Sequence, residues 1–448
     1  MKKINSIELG SILRKRRKEL GLTLSDLADD TISIPAISNI ERGIVHHINN
    51  DKVQYLKGAL KLDDDTLLKM IASEDNRRSF LEERLSLIEH LIENGLYDRA
   101  EKMIAELEQD DDVLEDESLQ MRLQLAFASL LCRQQQWKQA YAALLEVVDS
   151  AQRVKPIDPK LNVLPMTYNR LSACAFYGNQ DCTKAIAYAD KALAAFDPAG
   201  YKPYLKGDAL FNKSVYWFHL GKDTVAYASL LELKKLDERY YDIQTMVLAY
   251  NLEGTILKRQ GVYNDAVGAF KQALELCRHD RELASQVYLN LGYTYLAMSK
   301  GDEATCAEAA LAFDIVHDIC HLTRNERRQA LAYLALGELS LAREHWAAAK
   351  QQLDSALRLQ DALTTFKDRL QLLLFQARVE RHTDSSGLVE TCEQGVNLAY
   401  EHDLYSQAKE FYHLLIDYYH TIGDKEKHYE TMKALLQLES SMRGGFYH

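Results

Sequence analysis

The sequence predicts an all-α protein in which a small helical bundle precedes an α-solenoid of stacked helix pairs. Three observations support this fold class. A short turn motif returns every 40–43 residues, between apolar stretches with helical periodicity. The 448 residues include only six prolines and twenty glycines, and 47% of them are hydrophobic. Since one helix pair cannot bury its own apolar face, the repeated motif predicts a continuous stack.

The charge is unevenly distributed along the chain. Residues 1–62 carry eleven Lys and Arg against seven Asp and Glu, a balance of +4, whereas the whole chain carries −12. This pattern indicates that only the N-terminal bundle approaches nucleic acid. The seven scattered cysteines are expected to be reduced thiols. With neither an apolar signal stretch nor a membrane span in the sequence, we expect a cytoplasmic protein.

The N-terminal bundle is predicted to hold five helices. The first spans residues 7–20 and ends at Gly21. Thr23 caps a second helix over 24–30, and Ser33 with Pro35 begins a third over 35–42, which ends at Gly43. A fourth helix is expected over 51–62 and a fifth from about residue 66.

Three segments of this bundle resemble the Cro/repressor-type helix-turn-helix domain. They are Leu-Thr-Leu-Ser-Asp-Leu-Ala (22–28), Ile-Ser-Asn-Ile-Glu-Arg-Gly (37–43) and Leu-x-x-Ala-Leu-x-Leu (56–62). The resemblance implies that the third helix enters the DNA major groove, in a dimer on a two-part site. By position, the candidate base-reading residues are Ser33, Ala36, Ser38 and Asn39. The candidate phosphate contacts are Arg14, Arg16, Arg17, Thr23 and Arg42. The alternative for the basic run 14–18 is a solvated helix face.

The remaining chain divides into nine predicted helix pairs. The turns resemble those of tetratricopeptide repeats, with longer helices, and imply a right-handed solenoid whose first helices line a concave face. We place the helix-turn-helix domain at 1–72, a polar hinge at 73–79, the repeat domain at 80–440 and a tail at 441–448. Loops are expected at 109–117 and 156–165. The predicted pairs span 80–108, 117–153, 165–197, 203–238, 240–279, 281–321, 323–361, 364–402 and 404–440.

A column of asparagines lies in the first helices of the middle repeats. Asn169, Asn212, Asn251 and Asn290 each precede a turn glycine by nine to eleven residues. An amide both donates and accepts hydrogen bonds, which suits an extended peptide backbone in a groove. Alternatively, these amides bond within their own helical turns. The register fails at Ala335 and places His413 in the ninth unit. Three neighbouring candidates for peptide selectivity, or for packing, are Lys213, Tyr216 and Tyr293.

The combined head and repeats resemble the Rap/Rgg/NprR/PlcR/PrgX group of bacterial peptide receptors, and the NprR branch most. This resemblance implies a DNA-binding transcription regulator, without enzymatic activity, that is switched by a short signalling oligopeptide in the concave groove. It also implies a homodimer or higher homo-oligomer. The alternative, from the Rap branch, is a repeat domain that sequesters or acts on a response-regulator protein, with or without DNA binding. A scaffold with a vestigial head is a third interpretation.

Two further motifs do not predict sites. His317-Asp-Ile-Cys-His321 has the zinc-protease spacing of histidines, but it has Asp where Glu is required and lacks an identifiable third ligand. Gly221-Lys-Asp-Thr lacks the upstream glycine and the Ser or Thr of a phosphate-binding loop. We therefore expect neither a metal nor a cofactor.

Overall fold

In the computed structural model, every regular element of the described residues is helical. The structure describes residues 6–44, 51–153, 161–277, 280–300, 302–383, 385–402 and 404–444. The all-α prediction is confirmed. The chain divides into two compact units, Met1–Asn179 and Gln180–His448.

The N-terminal unit contains the head and the first repeats. Its α-helices are α1 (Ser6–Glu19), α2 (Ile34–Glu41), α3 (Asp51–Ala59), α4 (Asp64–Glu93), α5 (Tyr97–Leu107), α6 (Asp111–Glu115), α7 (Glu117–Arg133), α8 (Trp137–Arg153) and α9 (Val163–Ala173). A single π-helical turn, Cys174–Gly178, continues α9. Such a turn accommodates one extra residue in the helix.

The C-terminal unit is a series of α-helices. It comprises α10 (Cys182–Ala195), α11 (Leu205–His219), α12 (Asp223–Lys234), α13 (Ile243–Arg259), α14 (Tyr263–Leu276), α15 (Arg281–Ser299), α16 (Glu303–Thr323), α17 (Glu326–Ala342), α18 (Trp346–Leu357), α19 (Phe366–His382), α20 (Leu388–Glu401), α21 (Tyr405–Ile422) and α22 (Lys425–Gly444).

The head differs from prediction in its second helix. Residues 24–27 form a turn and not the helix expected over 24–30. The Thr23 hydroxyl and amide both donate to the Asp26 carboxylate, which starts a helical turn. Asp29 then accepts hydrogen bonds from the amides of Thr31 and Ile32, which turns the chain away before a second helical turn forms.

The expected hinge at 73–79 is helical instead. It lies inside α4, a helix of 30 residues that begins at its capping residue Asp63 and runs from the head into the first repeat. The segment contains neither glycine nor proline, so its polar residues do not interrupt the helix. The expected loop 109–117 likewise contains the short helix α6. Of the second expected loop, 154–160 lies outside the described residues, as do Asp384 and the tail beyond 444.

The recurring turn corresponds to one residue in the left-handed backbone region. Gly221 and Gly261 have φ values of 70° and 78° there, and glycine adopts this conformation without a Cβ clash. In other repeats a residue with a side chain takes the same conformation, as Gln135 (φ 60°) and Glu344 (φ 59°) do. The repeat is therefore defined by backbone geometry more strictly than by sequence.

A second recurrent feature of the C-terminal unit is a helical glycine packed against a phenylalanine ring. Each ring is fully buried, and a Cβ on the glycine would overlap it. The glycines thus let neighbouring helices approach closely enough to enclose the rings. The four pairs are Gly254–Phe270, Gly292–Phe313, Gly337–Phe375 and Gly395–Phe411.

All seven cysteines are free thiols. The sulfurs of Cys132 and Cys174 lie 3.6 Å apart in the buried interior of the N-terminal unit. No helix in the part of the chain that the structure describes is long and apolar enough to cross a membrane.

Candidate functional site

The helix α2 presents one face to solvent and buries the other in the head. Ile37 and Ile40 are buried in a core formed with α1 and α3. Asn39 and Arg42 are exposed, and their side chains contact no described residue through a hydrogen bond or an ion pair. Ser33 is also exposed, whereas Ala36 and Ser38 are half-buried. The outer face of α2 therefore has a donor-rich amide and a guanidinium available for a ligand.

Three of the candidate phosphate contacts have partners inside the head. Arg17 lies 12% exposed and donates two hydrogen bonds to the Glu41 carboxylate, at 2.7 and 2.9 Å, and one to the Leu22 carbonyl. This contact with Glu41 raises the pKa of Arg17. Arg16 donates to the Leu60 carbonyl and pairs with Glu19.

Thr23, the third of these candidates, bonds to Asp26 and thereby lowers the pKa of that carboxyl group. Arg14, by contrast, is exposed and pairs with no described residue. The positions of Arg16 and Arg17 thus favour structural roles, and the positions of Arg14 and Arg42 favour contact with an anion.

An acidic segment around α6 neutralises part of the basic charge of the N-terminal unit. Arg77 pairs with Asp110 and Asp112, and Lys18 of α1 pairs with Glu115. Sequence reasoning missed these pairs because their partners lie 33–97 residues apart. The run of acidic residues at 110–117 was the sequence feature that could have indicated these ion pairs.

In the C-terminal unit, the first helices of successive pairs form one inner face. Helices α11, α13, α15, α17, α19 and α21 contact each other in that order. Gln371 of α19 donates a 2.8 Å hydrogen bond to the Tyr293 hydroxyl of α15, although α17 lies between these helices in the sequence. A side-chain bond that reaches past the intervening first helix indicates that these helices line the inside of a curve, so we take this face as concave.

Two of the predicted asparagines meet on this face. Asn290 donates a 2.9 Å hydrogen bond from its amide nitrogen to the amide oxygen of Asn251. Asn251 is only 6% exposed, whereas Asn290 and Asn212 are half-buried. Two amides joined by one hydrogen bond keep further donor and acceptor capacity for a ligand. Asn169 belongs to the N-terminal unit, where it is half-buried.

The remaining predicted peptide contacts, which are Lys213, Tyr216 and Tyr293, differ in burial and in their partners. Lys213 pairs with Asp190 at 2.7 Å. Tyr216 is 2% exposed and packs in the interior. Tyr293 packs its ring edge-on against Phe313, and burial raises the pKa of its hydroxyl. These contacts favour packing for Tyr216 and a half-buried groove position for Tyr293.

Sequence reasoning missed the charged residues of the same face. Arg378 donates to both oxygens of Glu338, at 2.8 and 3.0 Å, and also to Glu410. Burial raises the pKa of Glu338, while Arg378 acts in the opposite direction. Beside this network, a cavity of about 460 Å³ opens next to Trp346, which stacks on His382. The spacing of 40 residues between Glu338 and Arg378 matches the repeat period and was the available signal.

The lysine Lys258 is also on this face and was missed. Its ammonium lies 5.8 Å from the centre of the Tyr293 ring and forms no ion pair or hydrogen bond with a described residue. Burial lowers the pKa of Lys258.

The head matches a known protein family. Residues 13–64 match the Helix-turn-helix family model. The chain has a helix-turn-helix domain. No curated protein matches the sequence.

Several solved structures share the fold of most of this chain. A Rap protein complexed with Competence and Sporulation Factor has a TM-score of 0.57 at 15% identity, over 82% of this chain and 99% of that one. The apo form of the quorum sensor NprR from B. thuringiensis has a TM-score of 0.50 at 13% identity, over 96% and 97%. Aspartyl phosphate phosphatase F from Bacillus subtilis has a TM-score of 0.52 at 14% identity, over 80% and 94%. The chain therefore combines a helix-turn-helix head with a repeat fold of the Rap and NprR kind.

The histidine pair that resembles a zinc motif has another partner. His317 bonds to the Tyr333 hydroxyl at 3.2 Å. Within the described ranges, no group of His, Cys, Asp and Glu is arranged to hold a metal ion.

Proposed function

We propose that this protein is a transcription regulator that binds DNA through α2 and is switched by a short oligopeptide bound on the concave face of the C-terminal unit. The observation that carries the proposal is the presence, in one chain, of a helix-turn-helix head and the repeat fold of the quorum sensor NprR. The exposed Asn39 and Arg42 side chains and the amide pair of the concave face support it.

The switch requires only that the peptide bind one arrangement of the first helices better than another. A ligand shifts such an equilibrium by its differential affinity and by no more. The hydrogen bond between α15 and α19 supports a switch in which the peptide changes the curvature of this face. We expect the regulator to act as a homodimer or higher homo-oligomer, because one head makes too few contacts for tight specific binding.

The DNA-binding part is tested by selecting duplexes from a randomised library with the full-length protein. Asn39→Ala with Arg42→Ala is expected to weaken binding to a selected duplex by about a hundredfold, since each contact contributes roughly 1–3 kcal/mol. Arg99→Ala removes the same charge from an exposed position on α5 and is expected to have no such effect. Failure of the full chain to enrich any sequence would contradict the proposal.

The peptide-binding part is tested by calorimetric titration with pools of synthetic hexapeptides. Asn212→Ala is expected to weaken binding by about 1 kcal/mol, because a bound backbone group loses its hydrogen-bond partner. Asn397→Ala changes an exposed amide on α20 and serves as the control. Equal affinity of the two variants would exclude the asparagine column from peptide binding.

A second function is favoured by the fold shared with aspartyl phosphate phosphatase F. In that case the repeats hold a response-regulator protein and the head is secondary. Dephosphorylation or capture of a phosphorylated receiver domain by the full chain, with no duplex enriched in the selection, would establish this alternative.

A further inference from the structure

The concave face of the C-terminal unit contains a lysine that forms no ion pair with any described residue. Lys258 lies in the last turn of α13, with its ammonium near the Tyr293 ring and without an ion pair among the described residues. Burial lowers its pKa, which shows that the charged form is held at a cost. A partly buried ammonium with no counter-charge is the kind of group that a ligand anion completes.

The acidic groups of this face do not supply that counter-charge. Both oxygens of Glu338 accept from Arg378, which also pairs with Glu410. Glu253, on the same helix as Lys258, has both its oxygens bonded to Lys234 of α12. Glu338 and Glu410 therefore share one cation, Glu253 has another, and none of these three carboxylates is ion-paired with Lys258.

The position equivalent to Lys258 on the preceding first helix lies near positive charges. His219 of α11 follows Asn212 by seven residues, as Lys258 follows Asn251, so the two occupy equivalent positions on successive first helices. Desolvation, and then the charges of Lys367 and Arg259, lower the pKa of His219. Arg259 is paired with Asp223, but Lys367 is exposed and has no described partner.

A neutral or basic ligand would leave Lys258 desolvated and unpaired, so an anionic group is the favoured occupant.

We propose that Lys258 binds a carboxylate of the peptide ligand, supplied either by an acidic side chain or by the C-terminus. This assignment rests on the proposed function and names the chemistry of its ligand. Seven helical residues span about 10 Å along the axis, so the carboxylate lies about 10 Å from the peptide bond held at Asn251. That distance corresponds to roughly three residues of an extended peptide.

The test uses hexapeptide pools that are fixed at one position to Asp, Asn or Ala and randomised elsewhere. Each pool is made with a free C-terminus and again as the C-terminal amide, and all are titrated into the full-length protein. We expect either one Asp pool to bind about tenfold better than its Asn counterpart, or the free-acid series to bind about tenfold better than the amides. The first result identifies a side chain and the second identifies the terminus.

Lys258→Met keeps the apolar stem and is expected to abolish the preference for acid, whereas Lys258→Arg keeps it. Lys271→Met, at an exposed position on α14, is the matched control, and unchanged melting temperatures verify folding. Peptide binding without an acid preference, or a preference that persists in Lys258→Met, would overturn the assignment and leave the proposed function intact. Binding of none of the pools would refute the peptide-receptor function, and the carboxylate assignment with it.

Discussion

The packing of glycine against phenylalanine predicts opposite outcomes for one substitution at two sites. Gly254 lies on α13, and a Cβ built there would be 2.7 Å from two ring atoms of the fully buried Phe270. Carbon atoms pack best about 3.5–4.0 Å apart, so the ring or the helix must move by about 1 Å. Gly268, on α14, is exposed, and a Cβ at this position would have no atom within 4 Å.

Gly254→Ala therefore combines two opposing effects. Overpacking costs about 1–3 kcal/mol, and the better helix propensity of alanine returns about 1 kcal/mol. The expected net result is a loss of up to about 2 kcal/mol in the free energy of unfolding. Gly268→Ala has only the propensity gain, so we expect it to stabilise the protein by about 1 kcal/mol.

Thermal denaturation of the two variants and of the wild-type protein shows whether each substitution stabilises or destabilises the protein. Hydrogen exchange shows where they arise, because stability in a repeat array is carried by neighbouring units. We expect lost amide protection in α13 and α14 for Gly254→Ala alone. Phe270→Leu, combined with Gly254→Ala, removes the overlap and should recover part of the loss. The packing argument is refuted if both glycine variants stabilise the protein equally.

Three further predictions follow from charges and backbone geometry. Arg17→Met leaves Glu41 buried and unpaired, and is expected to lower the unfolding free energy by about 3–5 kcal/mol in a denaturant titration; the same change at the exposed Arg14 should have little effect. Glu344 has a left-handed backbone conformation, which glycine adopts without strain. Glu344→Gly should therefore increase the free energy of unfolding by roughly 0.5–1 kcal/mol and raise the melting temperature. A lower melting temperature would show that no strain is present. Burial raises the pKa of Glu338, so its contribution to stability is largest below its unfolded pKa and is lost as pH rises through the folded pKa. Glu338→Gln should therefore gain melting temperature relative to wild type as the pH rises above the unfolded pKa, and a relative loss would indicate that the Arg378 pair dominates.

Local patterns predicted most of the helices. The second repeat, expected over 117–153, is found as α7 and α8 with the same outer limits, because an apolar stripe and a sharp turn are both encoded locally. Two predictions in and just after the head failed. Residues 24–30 have helical periodicity but are turned by the Asp29 carboxylate, and residues 73–79 are polar but continue a helix. Polarity by itself does not distinguish a hinge from a solvated helical turn.

The sequence predicted some contacts of the candidate sites and missed others. The asparagine register led to the Asn251–Asn290 contact, because equivalent positions in stacked repeats become neighbours. The sequence did not show which charged side chains pair with each other. Arg17 and Arg14 differ by three positions on one helix, yet the first lies in a buried ion pair and the second in solvent.

The sequence by itself determined the helical class, the repeat period and the helix-turn-helix head, since these depend on local periodicity and on turns of a few residues. Only the tertiary structure decided which charges are paired. The curve of the C-terminal unit brings Gln371 to Tyr293 across 78 residues. Beside them lies Lys258, which has no counter-ion among the residues that the structure describes. Pairing depends on distance and desolvation in three dimensions, and neither quantity is encoded in residue spacing along the chain.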